Sequence, residues 1–184
     1  MYFGNNNGLL VYDGFSWELH QVPGDYIVRS VFVDGSRIYV GSFEEFGYFD
    51  RDETGKMCYH SLSEGLKQVI SPNDEIWHIV KYGESIYFQS FTGWYAYDGK
   101  QVSFMEKNEA FRPLYFYDCY GRVFAQMING GFYEFDGKQF HPLLERSSVG
   151  DDNVVAVLPF ENEGMVLLTV DHGMYLYQHG NVSP

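Results

Sequence analysis

The sequence predicts an all-β protein built from about five repeated units of four short antiparallel strands. The clearest repeat lies at 86–100, where aromatic residues alternate with small or polar ones around turns at Thr92-Gly93 and Asp98-Gly99. The same pattern returns at 123–138, with weaker copies at 2–14, 38–50 and 166–180. The composition agrees, because the 16 Tyr and 16 Phe favour strands and the 20 Gly suit the turns between them.

The spacing of the repeat gives the size of each unit. The residue that follows the last aromatic of each hairpin is, in turn, Asp13, Asp50, Asp98, Asp136 and Gln178, at intervals of 37, 48, 38 and 42 residues. Blades of a four-stranded β-propeller repeat every 40–45 residues or so, roughly the spacing found here. We therefore predict one propeller domain or propeller fragment over 1–184, with repeats at about 1–24, 25–73, 74–109, 110–152 and 153–184. The long second repeat has loop insertions at 50–56 and 64–73.

Each central unit contains four predicted strands, numbered outwards from the strand that lines the centre of a propeller. They lie at 27–33, 37–42, 46–49 and 57–62, at 76–81, 85–89, 93–97 and 102–105, and at 114–119, 122–126, 131–135 and 139–143. The first unit starts at its second strand, with strands at 1–4, 9–12 and 16–20, and the last stops after its third, with strands at 154–160, 165–169 and 173–177. We expect a piece of a longer propeller whose open blade edges favour self-association. The alternative is a small closed propeller with irregular first and last blades.

Charge and the absence of long apolar runs restrict the partners. The formal net charge is −13, and a negative field repels polyanions, so we expect no nucleic-acid partner. No apolar run approaches the roughly 20 residues of a membrane span, and the start of the chain lacks the basic and apolar regions of a signal peptide. We therefore expect no membrane contact through this segment and no targeting signal within it.

The side chains that commonly bind metals do not form a recognisable pattern. Cys58 and Cys119 lie in different repeats, so we interpret them as free thiols, with a single disulfide as the alternative. The six His residues lack the spacing of metal ligands, and the run Asp151-Asp152-Asn153 is more typical of a solvated loop than of a calcium site. We expect neither a metal nor a cofactor.

The repeats resemble the two-component regulator propeller repeat. Residues 2–14 match its aromatic-apolar-Gly strand, its Gly-Leu and its Tyr-Asp-Gly, and 28–42 match the inner hairpin. Later units depart from it, since Gln89 and Gln126 replace the Gly, and Gly93-Trp94 and Gly131-Phe132 replace the Gly-Leu. The resemblance implies a sensor domain on the extracytoplasmic, periplasmic side of a membrane-anchored bacterial regulator. In that family an immunoglobulin-like domain, a membrane helix and a histidine kinase or helix-turn-helix output domain follow, and none of them lies in this chain.

The candidate ligand-binding residues lie where the innermost strands begin. Arg29, Trp77-His78 and Tyr115 occupy comparable positions there, and aromatic and Arg side chains suit a planar or sugar-like ligand. Loops on the same face of a propeller add Glu44, Glu45 and Asn129. The alternative is that the aromatic side chains only pack between blades.

The same loops collect most of the acidic residues, which predicts one acidic face. They are Asp25, Glu44, Glu45, Asp74, Glu75, Glu109, Asp151, Asp152 and Asp171. The turns at the opposite face hold Arg37, Arg51, Lys56, Lys100, Arg122 and Lys138. The alternative is that turns simply prefer Asp, Asn and Gly.

These observations favour a non-enzymatic sensor that binds an oligosaccharide or another small molecule. A propeller glycosidase or lyase would need carboxylates that converge in the channel, and the predicted inner strands between 27 and 119 carry only Asp118. The sequence also lacks a nucleophile elbow, a phosphate loop and a dinucleotide fingerprint. A platform for protein–protein interaction is the third hypothesis.

Overall fold

The computed structural model describes residues 1–24, 26–106 and 113–184. Within these ranges the regular structure consists of β-strands and two short 3-10 helices, Glu64–Leu66 and Arg146–Val149. The first helix falls inside the predicted insertion at 64–73. No helix in the described ranges is long and apolar enough to cross a membrane. The all-β prediction is confirmed.

The strands form five separate antiparallel sheets, each made of strands consecutive in the chain. The first sheet has three strands, β1 (Tyr2–Asn5), β2 (Gly8–Tyr12) and β3 (Trp17–His20). The second has β4 (Ser30–Asp34), β5 (Arg37–Gly41), β6 (Phe46–Arg51) and β7 (Met57–Ser61). The third has β8 (Ile76–Tyr82), β9 (Ser85–Ser90), β10 (Gly93–Tyr97) and β11 (Val102–Glu106).

The last two sheets follow the same plan. The fourth has β12 (Pro113–Cys119), β13 (Arg122–Met127), β14 (Phe132–Phe135) and β15 (Phe140–Leu144). The fifth has β16 (Val154–Phe160), β17 (Gly164–Thr169), β18 (Met174–Gln178) and β19 (Asn181–Ser183). The chain divides into two compact units, Met1–Ile79 with Ile86–Glu106, and Val80–Ser85 with Lys107–Pro184.

Two strand predictions were wrong. The last unit has a fourth strand, β19, which pairs with β18 through Leu176 and Ser183, so the expected gap at its outer edge does not exist. The first strand of the second sheet begins at Ser30 rather than at 27, because the amides of Val28 and Arg29 bond to Asn5 and Gly41 outside a regular ladder. The first sheet has three strands, as expected.

The repeated Asp-Gly pairs are turns that the Asp side chain closes. In the Asp98-Gly99 turn, Oδ1 of Asp98 accepts hydrogen bonds from the amides of Lys100 and Gln101, both at 2.9 Å. Asp13 and Asp136 make the same pair of bonds in their own sheets. The glycine that follows has a positive φ, +92° at Gly99, which residues with a side chain rarely adopt. This combination explains why the sequence repeats Asp-Gly at the ends of its hairpins.

Aromatic side chains pack between the second and third sheets in the core of the first unit. The ring of Phe46 in the second sheet lies 4.7 Å from Phe88 and 4.8 Å from Tyr95 in the third, with all three buried. In the second unit, Phe124 and Phe132 stack at 5.5 Å and pack with Val154 and Leu167 of the fifth sheet. The aromatic residues of the repeat therefore contribute to the packing between the second and third sheets and between the fourth and fifth, whereas mainly aliphatic side chains pack the first sheet against the second.

Polar bonds fix where an innermost strand starts. Ile76, the first residue of β8, donates its amide to Ser42 O and accepts a bond from the Ser30 hydroxyl at its carbonyl. In the second unit, Val154 of β16 donates its amide to the Gln126 side chain and accepts a bond from the Tyr117 hydroxyl. Both residues are buried, so each finds its polar partners in the preceding sheet, as buried backbone groups must.

The self-association expected from open edges stays a prediction, now for β1 alone. In its sheet β1 pairs only with β2, and Phe3 of β1 is exposed beside Trp17. Such an edge invites pairing with another chain, and a lysine there discourages it. We expect light scattering to show a mass that rises with concentration, and Phe3→Lys to lower it. Leu158→Lys, in an exposed position of the second unit, is the control, and an equal effect of both changes would contradict pairing through β1.

Candidate functional site

Two loops of the first unit run side by side and position the candidate site. Residues 42–45 connect β5 to β6, and 73–76 lead into β8. The amide of Glu44 donates to Asp74 O at 2.8 Å, Phe43 and Glu75 form an isolated antiparallel bridge, and the amide of Ile76 donates to Ser42 O. The backbone therefore holds these loops as a short ladder, which fixes the directions of the side chains that they carry.

Arg29 and Trp77, two of the predicted residues, meet at this ladder. The Arg29 guanidinium carbon lies 5.6 Å from the centre of the Trp77 ring and 5.8 Å from that of Phe43. The Trp77 ring is 5.2 Å from Phe91 in an edge-to-face arrangement. Trp77 and Phe91 are 40% and 61% exposed. An arginine beside exposed aromatic rings thus forms a surface that can stack on a ligand and donate hydrogen bonds to it.

Glu75 supplies a carboxylate at the same place. Its side chain is only 9% exposed, and Oε1 lies 3.4 Å from a terminal nitrogen of Arg29. Oε2 is buried and accepts no hydrogen bond from the described residues. A buried carboxylate oxygen without a hydrogen-bond donor is energetically costly. The cluster of Arg29, Phe43, Glu75, Trp77 and Phe91 therefore contains one acceptor that a ligand could satisfy. We call it the Arg29 cluster.

Glu44 and Glu45 line a cavity in the same unit. Its volume is about 290 Å³, and its walls are Pro23, Gly24, Tyr26, Glu44, Glu45, Lys67 and Ile70. Glu45 is 7% exposed, and its Oε1 accepts hydrogen bonds from the hydroxyls of Tyr59 and Ser61 at 2.8 and 2.7 Å. Burial, followed by the charge of Glu45, raises the pKa of Tyr59 far above its ordinary value. The predicted pair of acids is therefore brought together, at a site that shares no lining residue with the Arg29 cluster.

The remaining predicted residues lie elsewhere. His78 is exposed, yet the surrounding protein lowers its pKa because it disfavours the imidazolium. No bond or ring contact found in the described ranges joins it to the Arg29 cluster. Tyr115 lies on β12 in the second unit, where its ring is 6.4 Å from Tyr117. Asn129 is at the exposed tip of the loop between β13 and β14, with a φ of +55°.

The prediction of an acidic face needs a correction. Four of its carboxylates, those of Glu45, Asp74, Glu75 and Asp152, are buried. Asp74 accepts bonds from the Phe91 amide and the Thr92 hydroxyl, and thereby ties the loop after β9. Counting charge along loops missed this, because a buried acid that holds a loop does not contribute a free surface charge. Asp25 and Glu109 lie outside the described residues.

Sequence reasoning missed Phe43, Phe91 and Tyr26, and left Glu75 out of the site. A signal for the two phenylalanines exists, since Ser-Phe begins the loop after the second strand in both the second and third sheets, at 42–43 and 90–91. Tyr26 had no such pattern. The contact of Glu75 with Arg29 joins residues 46 positions apart, which no local periodicity could indicate.

The fold is similar to several solved structures. The extracellular domain assigned to the hybrid two-component system BT3049 of B. thetaiotaomicron matches 97% of this chain at a TM-score of 0.66 and 14% identity. PorZ, a surface component of the type-IX secretion system of Porphyromonas gingivalis, matches 99% of this chain at a TM-score of 0.59 and 13% identity. The N-terminal domain of Nup159 matches 99% of this chain at a TM-score of 0.58 and 10% identity. These similarities confirm the propeller fold.

The matches cover only part of those proteins. The chain spans 25% of the BT3049 structure, 24% of PorZ and 56% of the Nup159 domain. Neither a scan of protein-family models nor a search of curated proteins finds a match to this sequence. At such low identity the similarity shows the fold alone.

The hydrogen bonds that Asp152 accepts predict how the stability of the protein depends on pH. Hydrogen bonds from the amides of Asp171, Asn153 and His172 hold the pKa of Asp152 well below its ordinary value. A lowered pKa stabilises the fold above the unfolded value of about 3.9, and the contribution is lost as the pH falls below it. We expect Asp152→Asn to be less stable than the wild type at neutral pH, with a smaller difference in acid, when unfolding is followed in urea.

The control for this experiment is Asp171→Asn, which removes the same charge from an exposed side chain of the same region. A difference between the wild type and Asp152→Asn that stays constant from neutral to acidic pH would show that the carboxylate charge does not hold the loop.

Proposed function

We propose that this chain is a non-enzymatic sensor module that binds an oligosaccharide or a similarly shaped small molecule. The module belongs to the extracytoplasmic, periplasmic side of a bacterial regulator of signal transduction or transcription, and it passes the signal to that regulator's output domains. The observation that carries the proposal is the Arg29 cluster, which combines exposed rings, a guanidinium and an unmet carboxylate oxygen on one side of the first unit.

The chemistry of the cluster suits a sugar ring. The apolar faces of sugars stack on aromatic rings. Trp77 and Phe91 offer two such rings in an edge-to-face arrangement, with an interplanar angle of 65°. Sugar hydroxyls both donate and accept hydrogen bonds. Arg29 provides donors, and Glu75 Oε2 provides a buried acceptor. A hydroxyl that reached this oxygen would satisfy it, so polyhydroxylated ligands fit better than apolar ones.

The fold neighbours support the sensor role. The similar structure from BT3049 is the extracellular domain of a protein assigned as a hybrid two-component system. A sensor of that kind lies outside the cytoplasm, where oligosaccharides are available as signals. The resemblance of residues 2–14 and 28–42 to the two-component regulator propeller repeat points in the same direction.

The arrangement of carboxylates favours binding over catalysis. Glycoside hydrolysis needs one carboxyl group kept protonated as a general acid beside an ionised partner. In the cavity, however, Glu45 accepts bonds from two hydroxyls and Glu44 from the Asn73 amide. Both carboxylates are therefore already engaged as hydrogen-bond acceptors by the protein itself. Each innermost strand in the described ranges carries at most one Asp or Glu.

Trp77 provides the direct test of the binding site. We expect short neutral and uronate-containing oligosaccharides to include ligands of the full chain by isothermal titration calorimetry. Loss of the stacking ring in Trp77→Ala weakens their binding about tenfold or more, as expected for an aromatic anchor. The matched control is Phe160→Ala, since Phe160 is 42% exposed and also lies on an innermost strand, β16.

Two results would contradict the proposal. Equal binding of the oligosaccharides by Trp77→Ala and Phe160→Ala would show that the Arg29 cluster is not part of the ligand site. The protein would be an enzyme rather than a sensor if it turned over any of these oligosaccharides and lost that activity when one Asp or Glu was changed to Ala.

A further inference from the structure

We propose that the cavity beside Glu44 and Glu45 is a second binding site, which takes a small organic molecule carrying an ammonium group. The site does not depend on the sensor function proposed for the Arg29 cluster, and none of its lining residues belongs to that cluster. Its described lining residues come from three loops of the first unit: Pro23, Gly24 and Tyr26 from the first, Glu44 and Glu45 from the second, and Lys67 and Ile70 from the third.

The size of the cavity sets the size of the ligand. At about 290 Å³ it lies at the lower end of small-molecule sites, which span about 300–1,000 Å³. A single ring or a short chain fits this volume. The polar walls come from two carboxylates and one lysine, and Tyr26 and Ile70 provide apolar area.

Glu45 is the reason to assign a cationic ligand. The side chain is buried and anchored through Oε1, which accepts bonds from Tyr59 and Ser61. Its other oxygen, Oε2, accepts no hydrogen bond from the described residues. No arginine or lysine of these residues forms an ion pair with it. Because the two hydroxyls bond to Oε1, a ligand ammonium in the adjacent cavity would give Oε2 a donor and the carboxylate an opposite charge.

Glu44 and Tyr26 strengthen the same preference. The Asn73 amide donates to Glu44 Oε1, and the residue is held at a φ of +52°, so its position is fixed by the loop. The Tyr26 ring is exposed beside the cavity, and aromatic faces attract cations. Lys67 supplies the opposite charge, but it pairs with neither glutamate within 4.0 Å, and two carboxylates against one ammonium leave the cavity negative.

The cation that fits is organic rather than a metal ion. Ca²⁺ takes about six to eight oxygen ligands and Mg²⁺ about six. Across the described residues, no group of three or more His, Cys, Asp or Glu side chains is arranged to hold a metal ion. An ammonium group needs only two or three acceptors, and the cavity supplies them.

Benzylammonium is a suitable probe, with benzyl alcohol as its neutral counterpart of nearly equal shape. We expect titrations of the full chain, followed by the chemical shifts of its amides, to give benzylammonium about tenfold tighter binding than benzyl alcohol. The shifts should concentrate at the loops that line the cavity. Equal binding of the two probes would overturn the proposal, because it would show that charge is not recognised.

Four variants assign the binding to these side chains. Glu45→Gln, which keeps an oxygen for Tyr59 and Ser61, should weaken benzylammonium binding about tenfold. Glu161→Gln removes the same charge from an exposed side chain of the second unit and should change nothing. Trp77→Ala should also leave amine binding intact, which separates this site from the Arg29 cluster. Lys67→Gln should strengthen benzylammonium binding a few-fold, because it removes a positive charge that repels the ligand.

The outcome stays decisive if Glu45→Gln does not fold. Glu44→Gln and Lys67→Gln both change exposed loop side chains, and the proposal requires weaker binding for the first and tighter binding for the second. Unchanged affinity in both would overturn it, as would a loss of binding in Glu161→Gln as large as in the cavity variants, which would indicate only attraction to the net negative chain.

Discussion

The structure depends on how the innermost strands β8 and β16 obtain hydrogen-bond partners at their buried first residues. Ile76 and Val154 both bond their amide to the end of the second strand of the preceding sheet, and their carbonyl to a hydroxyl on its first strand. The partners differ, because Ser42 O and Ser30 serve Ile76, whereas the Gln126 side chain and Tyr117 serve Val154. The requirement is the same, since a buried backbone group without a partner costs about as much as a lost hydrogen bond. Consecutive sheets within each unit are therefore joined by polar bonds as well as by aromatic packing.

The candidate site is a consequence of this constraint. The bond between Ile76 and Ser42 brings the loop 42–45 against residues 73–76, and the ladder between them places Glu75 and Trp77 beside Arg29. The acids that precede the innermost strands, Asp74 and Asp152, then tie the loops of their own sheets. Much of the negative charge of the loops is thus structural. The buried Oε2 of Glu75, which has no donor among the described residues, marks a place where a ligand can add a hydrogen bond.

The sequence predicts the sheets far better than the site. Alternating aromatics and the Asp-Gly turns are local signals, and they gave the sheets and most strand bounds. The strand β19 was missed because three residues, Asn181 to Ser183, are too short to show alternation. Arg29 and Trp77 were found by their equivalent positions in the repeat. Glu75 was not, because it joins the cluster through its contact with Arg29 of a different sheet. Phe43 and Phe91 were also missed, although both follow a serine at the end of the second strand of their sheets. The burial of four acids assigned to the predicted acidic face was missed for a related reason, since burial depends on tertiary packing rather than on the charge of a loop.

The central claim is that buried backbone bonds hold the loops of the site in place before any ligand binds. Amide hydrogen exchange of the ligand-free protein tests it most directly at Ile76 and Glu44, whose amides bond to Ser42 O and Asp74 O. The account predicts that both amides exchange as slowly as those in the ladder between β5 and β6. Exchange at the rate of an exposed loop would show that the ladder between residues 42–45 and 73–76 opens freely, and would contradict a preformed site.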